Sequence, residues 1–165
     1  MRLQISIQLD AANRIIGAAL ASARVEKMLP LTVVVLDVTG KIIASQSEDG
    51  SGLLRFDVAR GKAWGALGMG MSSRLIRDRL ATRPSFQAAL ATVSDGKFIP
   101  VPGGVLVLDV DGSVIGAVGV SGDTSEKDEY CAISGIAAVG LKSEPASADQ
   151  NWQNSSLKGP DARST

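Results

Sequence analysis

The segment Pro102–Gly122, PGGVLVLDVDGSVIGAVGVSG, constrains the fold more than any other part of this chain. Two apolar runs, Val105–Leu108 and Val114–Val120, flank an Asp-Gly pair at Asp111–Gly112. Asp and Gly accept the positive φ that a tight hairpin turn demands, so the two runs are expected to pair antiparallel. Pro-Gly-Gly precedes this hairpin, and Ser-Gly-Asp-Thr follows it into an acidic helix start at Glu126–Glu129. Glycines without a Cβ let another group approach the backbone closely. The N–H groups at the start of the next helix face the same space. The segment therefore reads as a pocket wall made of Pro102, Gly103, Gly104, Ser121 and Gly122.

What precedes the hairpin fits around it. Residues 7–28 carry apolar side chains at helical spacing (Leu9, Ala12, Ile15, Ile16, Ala19, Leu20, Ala23), with Asp10 near the start and Pro30 just past the end. Leu31–Asp37 is a nearly continuous β-branched run, as expected for a strand covered on both faces. Thr39-Gly40 turns the chain, and Lys41–Gln46 returns as a second strand. Leu53–Leu67 reads as a helix in which Gly61 and Gly65, four apart, mark a close contact on one face. Ser72-Ser73 can cap a helix over Arg74–Ala81, Pro84 starts a short helix over Ser85–Ala91, and Phe98–Val101 reads as a short strand. Asp123 or Thr124 caps a last, mostly apolar helix ending near Leu141. Hairpin-linked strands with helices between and around them give an α/β domain of the α+β type, an antiparallel five-stranded sheet with helices on both faces. Residues 1–142 form this single domain, and 143–165, polar and without a periodic apolar face, are expected to be a disordered tail.

Composition removes whole classes of function. Lys plus Arg equals Asp plus Glu at 17 each, and no basic run occurs, so the electrostatic footprint of a nucleic-acid binder is missing. No apolar stretch is long enough for a membrane span, and MRLQISIQLDAA does not have the form of a secretory signal. A single cysteine, Cys131, forms no intrachain disulfide framework. A cytoplasmic location is the expectation. The chain has no histidine, which excludes a Ser-His-Asp triad, a His-Cys dyad, the usual zinc sites and a proximal-His haem. Acid–base chemistry would fall to Asp, Glu, Lys, Tyr or Cys.

Two constellations remain. Arg55 and Lys62 stand seven apart on one helix face and could clamp a carboxylate, or simply form a solvated face. Asp123, Asp128 and Glu129 either suit the start of their helix electrostatically or include a general base. They lack the spacing of a calcium loop, and no metal site is expected. Cys131 reads as a small buried hydrophobe. Met69 and Met71 read as loop anchors or, alternatively, as soft ligands to a metal or haem iron.

With LTVVVLDVTGKI, RFDVARGKAWGAL, RPSF, VPGGVLVLD and VIGAVGVSGDTSEKDEYCA in this order over about residues 7–141, the chain resembles the GlcG/HbpS-like haem-binding (haem-degrading) family. The same module occurs as the C-terminal domain of PduO-type corrinoid proteins. The resemblance implies a profilin-like layered sandwich and homo-oligomers, from dimers to rings such as tetramers or octamers. It also implies haem as a possible ligand and, for some members, a setting in small-acid catabolism. A His-free chain would need Met, Tyr, Cys, Lys or a threonine hydroxyl as an axial contact. Two functional expectations follow. One is a small-ligand-binding protein that takes haem or another tetrapyrrole without His ligation. The other is a cofactor-free enzyme of tautomerase, hydrolase or deaminase type acting on a small oxo, enol or imine acid. In the enzyme, Arg55 and Lys62 bind the carboxylate, N–H groups near Gly103, Gly104 and Gly122 stabilise negative charge, and Asp123, Asp128 or Glu129 moves the proton. A third possibility is an assembly protein without chemistry.

Overall fold

The computed structural model describes residues 6–157. In chain order the elements are α1 (Leu9–Val25), β1 (Thr32–Asp37), β2 (Ile42–Ser47), α2 (Arg55–Met69), α3 (Ser73–Leu80), α4 (Pro84–Val93), β3 (Gly104–Leu108), β4 (Val114–Ser121), α5 (Ser125–Ala138) and β5 (Lys142–Glu144), with a 3-10 turn at Trp152–Asn154. The strands form one antiparallel sheet in the order β2-β1-β4-β3-β5. Alternation along the inner strands sorts their side chains to two faces. Val33, Val35, Val105, Val107, Val118 and Val120 pack under α1 and α5 against Ile15, Ile16, Ala132 and Ile136. Val34, Leu36, Leu106 and Ala117 pack under α2 against Ala59, Ala63 and Ala66. The result is an α+β sandwich with helices on both faces.

The β3–β4 hairpin closes as the Asp-Gly pair implies. Gly112 has φ +84°, and the Asp109 carboxylate accepts the N–H groups of Asp111 and Ser113, both at 2.9 Å.

The α2 face of the sheet is set by missing side chains. A Cβ on Gly119 would lie 1.8 Å from the carbonyl oxygen of Ala59, and one on Gly104 would lie 2.2 Å from that of Lys62. These two glycines face each other across β3 and β4. Helix backbone therefore rests on strand backbone, a contact that no other residue type permits.

Two local expectations are corrected, and the cap expected at Asp123 or Thr124 falls at Thr124. Phe98–Val101 is not a strand; it runs across α2 into the notches left by Gly61 and Gly65. A Cβ there would lie 2.5 Å from Ile99 Cγ1 and 3.1 Å from Phe98 Cδ2, and Ile99 N–H donates to the Gly61 carbonyl. Pro100 and Pro102 have no N–H to give a ladder. The fifth strand is instead Lys142–Glu144, paired with β3. Residues 143–157 are consequently not a free tail. Glu144 accepts from the N–H and hydroxyl of Ser72 at the start of α3, and Trp152 stacks on Tyr130 with ring centroids 3.8 Å apart. Residues 158–165 lie outside the described residues. Finally, Thr124 takes the N-cap position of α5 without a side-chain cap bond. The Asp123 carboxylate instead accepts the N–H groups of Leu29 and Thr124.

Gly119→Ala is expected to cost several kcal/mol, about 3 or more, because strand and helix backbones must separate. Gly17→Ala, on α1 with nothing within 4 Å of the added carbon, should instead stabilise by about 0.5–1 kcal/mol. Urea unfolding of the two variants checks the contrast.

Candidate functional site

Seating α2 on β3 and β4 carries its charged side chains to the C-terminal end of β4. Lys62 leaves α2 at a point where its own carbonyl touches Gly104. Its side chain passes Gly103, whose φ is +115° and whose absent Cβ would stand 2.9 Å from Lys62 Nζ. Nζ donates to Asp128 Oδ2 at 2.8 Å and to the Val120 carbonyl at 3.0 Å. Because Asp128 belongs to α5, this ion pair ties the two helical layers together past the end of the sheet. Both side chains are almost wholly buried, at 2% and 1% exposure. Asp128 Oδ1 also accepts the Asp123 N–H. Burial pushes the Asp128 carboxyl up, to about 6, against the pull of Lys62, the Asp123 N–H and Arg55.

Arg55 lies two turns earlier on α2 and reaches the same strand end. Its Nη1 donates to Ser121 Oγ at 3.4 Å. Ser121 is buried and pairs across the sheet with Thr32, whose hydroxyl contacts Ser47 Oγ and Ser51 Oγ at 2.8 Å each. Among the described residues no carboxylate lies within 4 Å of the half-buried Arg55 guanidinium. Leu53 and Leu54, immediately before it, are 93% and 70% exposed.

The structure thus brings Arg55, Lys62, Gly103, Ser121, Asp123 and Asp128 to one place. It also shows what occupies the space beside the glycines. Pro102, Gly103, Gly104 and Gly122 are buried. Gly104 meets α2, and Gly122 meets the chain entering β1, where a Cβ would fall 2.3 Å from the Pro30 carbonyl. Asp123 is held below the ordinary carboxylate range. Burial opposes this, but the N–H groups of Leu29 and Thr124 and the ammonium of Lys127 outweigh it.

Glu129 stands apart from this group and faces α3. It is fully buried, and its Oε1 lies 3.4 Å from Arg74 Nε. Neither of its carboxylate oxygens has a hydrogen-bond partner among the described residues. Burial pushes its carboxyl up to about 7, against Arg74 and Arg77, with Asp149 and Glu126 adding to the rise. Cys131 is buried and neutral, with its thiol pushed up to about 12 by burial and its Sγ 3.5 Å from Met28 Sδ.

Sequence reasoning missed Arg74 and the hydroxyls of Thr32, Ser47 and Ser51. The only signal for the hydroxyls was the placement of polar residues at the ends of otherwise apolar strands. Among the described residues, no group of three His, Cys, Asp or Glu side chains is placed to hold a metal ion.

Two stability outcomes follow. Glu129 binds its proton more tightly in the folded state, so stability should fall as pH rises from about 4.5 to about 7 and level off above. Glu129→Gln should flatten that part of the profile and be the more stable protein at pH 8, by up to about 3 kcal/mol. Denaturant midpoints between pH 5 and 8 measure this. For the buried pair, Lys62→Met alone should cost about 3–5 kcal/mol, while Lys62→Met combined with Asp128→Leu should recover most of the loss. A double-mutant cycle reads the difference.

Comparison with known proteins agrees with this architecture. A family model described as haem degrading protein HbpS-like matches residues 7–137. A relative from Citrobacter freundii, an uncharacterised 15.0 kDa protein of the dhaT-dhaS intergenic region, is 32% identical over 127 residues, covering 77% of this chain and 87% of its own length. Among solved structures, a PduOC:heme complex superposes with a TM-score of 0.76 at 24% identity, covering 85% of this chain and 99% of that one. Klebsiella pneumoniae protein ORFY superposes with a TM-score of 0.74 at 26% identity, covering 85% and 94%. With the family match spanning most of the domain, the chain belongs to the HbpS-like family of haem-degrading proteins.

Proposed function

We propose that this chain binds a small ligand with an apolar body and a carboxylate, held at the N-terminal end of α2. The observation that carries the reading is the half-buried Arg55 guanidinium, which has Ser121 Oγ beside it and no carboxylate within 4 Å among the described residues. A guanidinium in such a place favours a bidentate anion. Leu53 and Leu54, exposed next to it, supply an apolar shelf for the rest of the molecule. A tetrapyrrole with its propionates has this chemistry, and both the family and the PduOC:heme neighbour point to that class.

The fit is to the ring and its carboxylates rather than to iron. The chain has no histidine. The Cys131 thiol is buried and neutral, and the Tyr130 ring is stacked against Trp152. Recognition therefore rests on Arg55 and the leucines. Self-association into a dimer or larger ring, and a cytoplasmic location, belong to the same proposal. Among the described residues, no helix is long and apolar enough to cross a membrane.

A second reading, catalysis on a small oxo acid bound at Arg55, is favoured by one observation. The Asp128 carboxyl, raised to about 6, is within electrostatic reach of that arginine. Its test is deuterium exchange into the methyl group of pyruvate, followed by NMR. Acceleration over buffer supports catalysis; a rate equal to buffer excludes it for this substrate class.

Haemin and metal-free protoporphyrin should bind with affinities within about tenfold of each other. Arg55→Gln should weaken both by roughly ten- to a hundredfold. Absorbance and fluorescence titrations check this. Saturable haemin binding that Arg55→Gln leaves unchanged would remove the basis of the proposal.

A further inference from the structure

A second concavity lies toward the other end of α2, about 14–21 Å from Arg55 along the helix axis. Trp64, Met69, Leu90, Val93, Ser94 and Phe98 line it, and its volume is about 170 Å³. No charged side chain is among its walls, and the Ser94 hydroxyl is already used on the Ala91 carbonyl at 3.1 Å. An enclosed apolar cavity of about 150 Å³ takes up benzene; this cleft offers a similar space but stands half-open to solvent.

The glycines of α2 give the reason it exists. Gly61 and Gly65 are needed by the fold, since Ile99 and Phe98 fill the space beside them. Gly68, which also lines the cavity, has no such need. A Cβ there would meet only Trp64 Cζ3, at 3.9 Å, and Gly70, not Gly68, makes the left-handed turn that ends α2. A glycine in a helix interior is unfavourable relative to alanine, so packing does not account for Gly68. A side chain longer than alanine's at this position would project into the opening. The opposite wall is the least anchored helix of the domain: α4 has no buried residue, and Val93 is 82% exposed.

We infer that the cleft between α2 and α4 binds a single uncharged aromatic ring, of benzene to indole size, against the faces of Trp64 and Phe98. The dimensions exclude a whole tetrapyrrole, and the uncharged walls exclude a carboxylate. This site is independent of the one at Arg55.

Titration of the full chain with indole, followed by NMR, tests it. Saturable shifts confined to Trp64, Met69, Leu90 and Phe98 are expected. Gly68→Leu, which projects a side chain into the opening, should weaken binding at least tenfold while leaving the thermal midpoint equal or higher. Val93→Trp, from the α4 side, should do the same should Gly68→Leu fail to fold. Protoporphyrin binding should be unaffected by either variant, which separates failure here from failure at Arg55. Absence of saturable indole shifts would overturn the inference. So would shifts centred on Trp152, or equal affinity in a folded plugged variant.

Discussion

The contact of α2 backbone with the backbones of β3 and β4, made possible by Gly104 and Gly119, is the constraint on which the other features depend. Side chains normally hold a helix away from a sheet; here two opposed glycines remove them. The gain is close packing of Ala59, Ala63 and Ala66 against Val34, Leu36, Leu106 and Ala117. Small residues can fill this layer only when the layers approach closely, which suits a chain with 4% aromatic residues. The same approach shortens the distance from α2 to the far side of the sheet. A lysine side chain at position 62 can then pass the end of the strands and meet Asp128 on α5.

That ion pair has a cost that packing alone does not repay. Removing two charges from water is offset only when geometry and further hydrogen bonds are good. Here Lys62 has Val120 O as well as Asp128, and Asp128 has the Asp123 N–H. What the pair provides is registry, since helices on opposite faces of the sheet are held in one relation by a contact that tolerates little sliding. Glu129 illustrates the opposite case, one residue further along the same helix. Its carboxylate is equally buried, but both oxygens lack hydrogen-bond partners among the described residues; Arg74 Nε stands 3.4 Å away, and Arg77 also acts on it. Its proton is accordingly held until nearly neutral pH, while Asp128 shares its charge with a partner.

The inner strands and α1 were legible for different reasons: Leu31–Asp37 and the two arms of the hairpin are apolar runs bounded by turn residues, and α1 has an apolar face at helical spacing. Phe98–Val101 was misread because a short apolar run has no period that separates a strand from a packed coil. Its true role lay in Gly61 and Gly65, which were recognised as a contact face without showing what would fill it. β5 was invisible for a related reason. Lys142–Glu144 has no apolar alternation, and its place is fixed by partners distant in sequence, Ser72 for Glu144 and Tyr130 for Trp152. At the site, Gly103, Gly104 and Gly122 announced close approach correctly as physics. Whether the approaching group is a ligand or the protein's own backbone is decided by tertiary structure, which no local pattern encodes.

The two cations at positions 55 and 62 show how one helix face can yield two different environments. Lys62 lies deeper and is neutralised by Asp128, so it has little remaining attraction for an anion. Arg55, two turns nearer the start of α2, has the Ser121 hydroxyl beside it and, among the described residues, no carboxylate within 4 Å. Its field is weakened only at a distance by Asp128, itself already paired. On the proposed reading, a carboxylate at Arg55 would meet a guanidinium without an ion-pair partner among the described residues, beside the buried Lys62–Asp128 pair. Water is excluded around Gly103, Lys62 and Asp128, so the interaction is screened less than at an open surface. On that reading, discrimination would come from what the ligand sets against the exposed Leu53 and Leu54, because the charge term is common to every carboxylate.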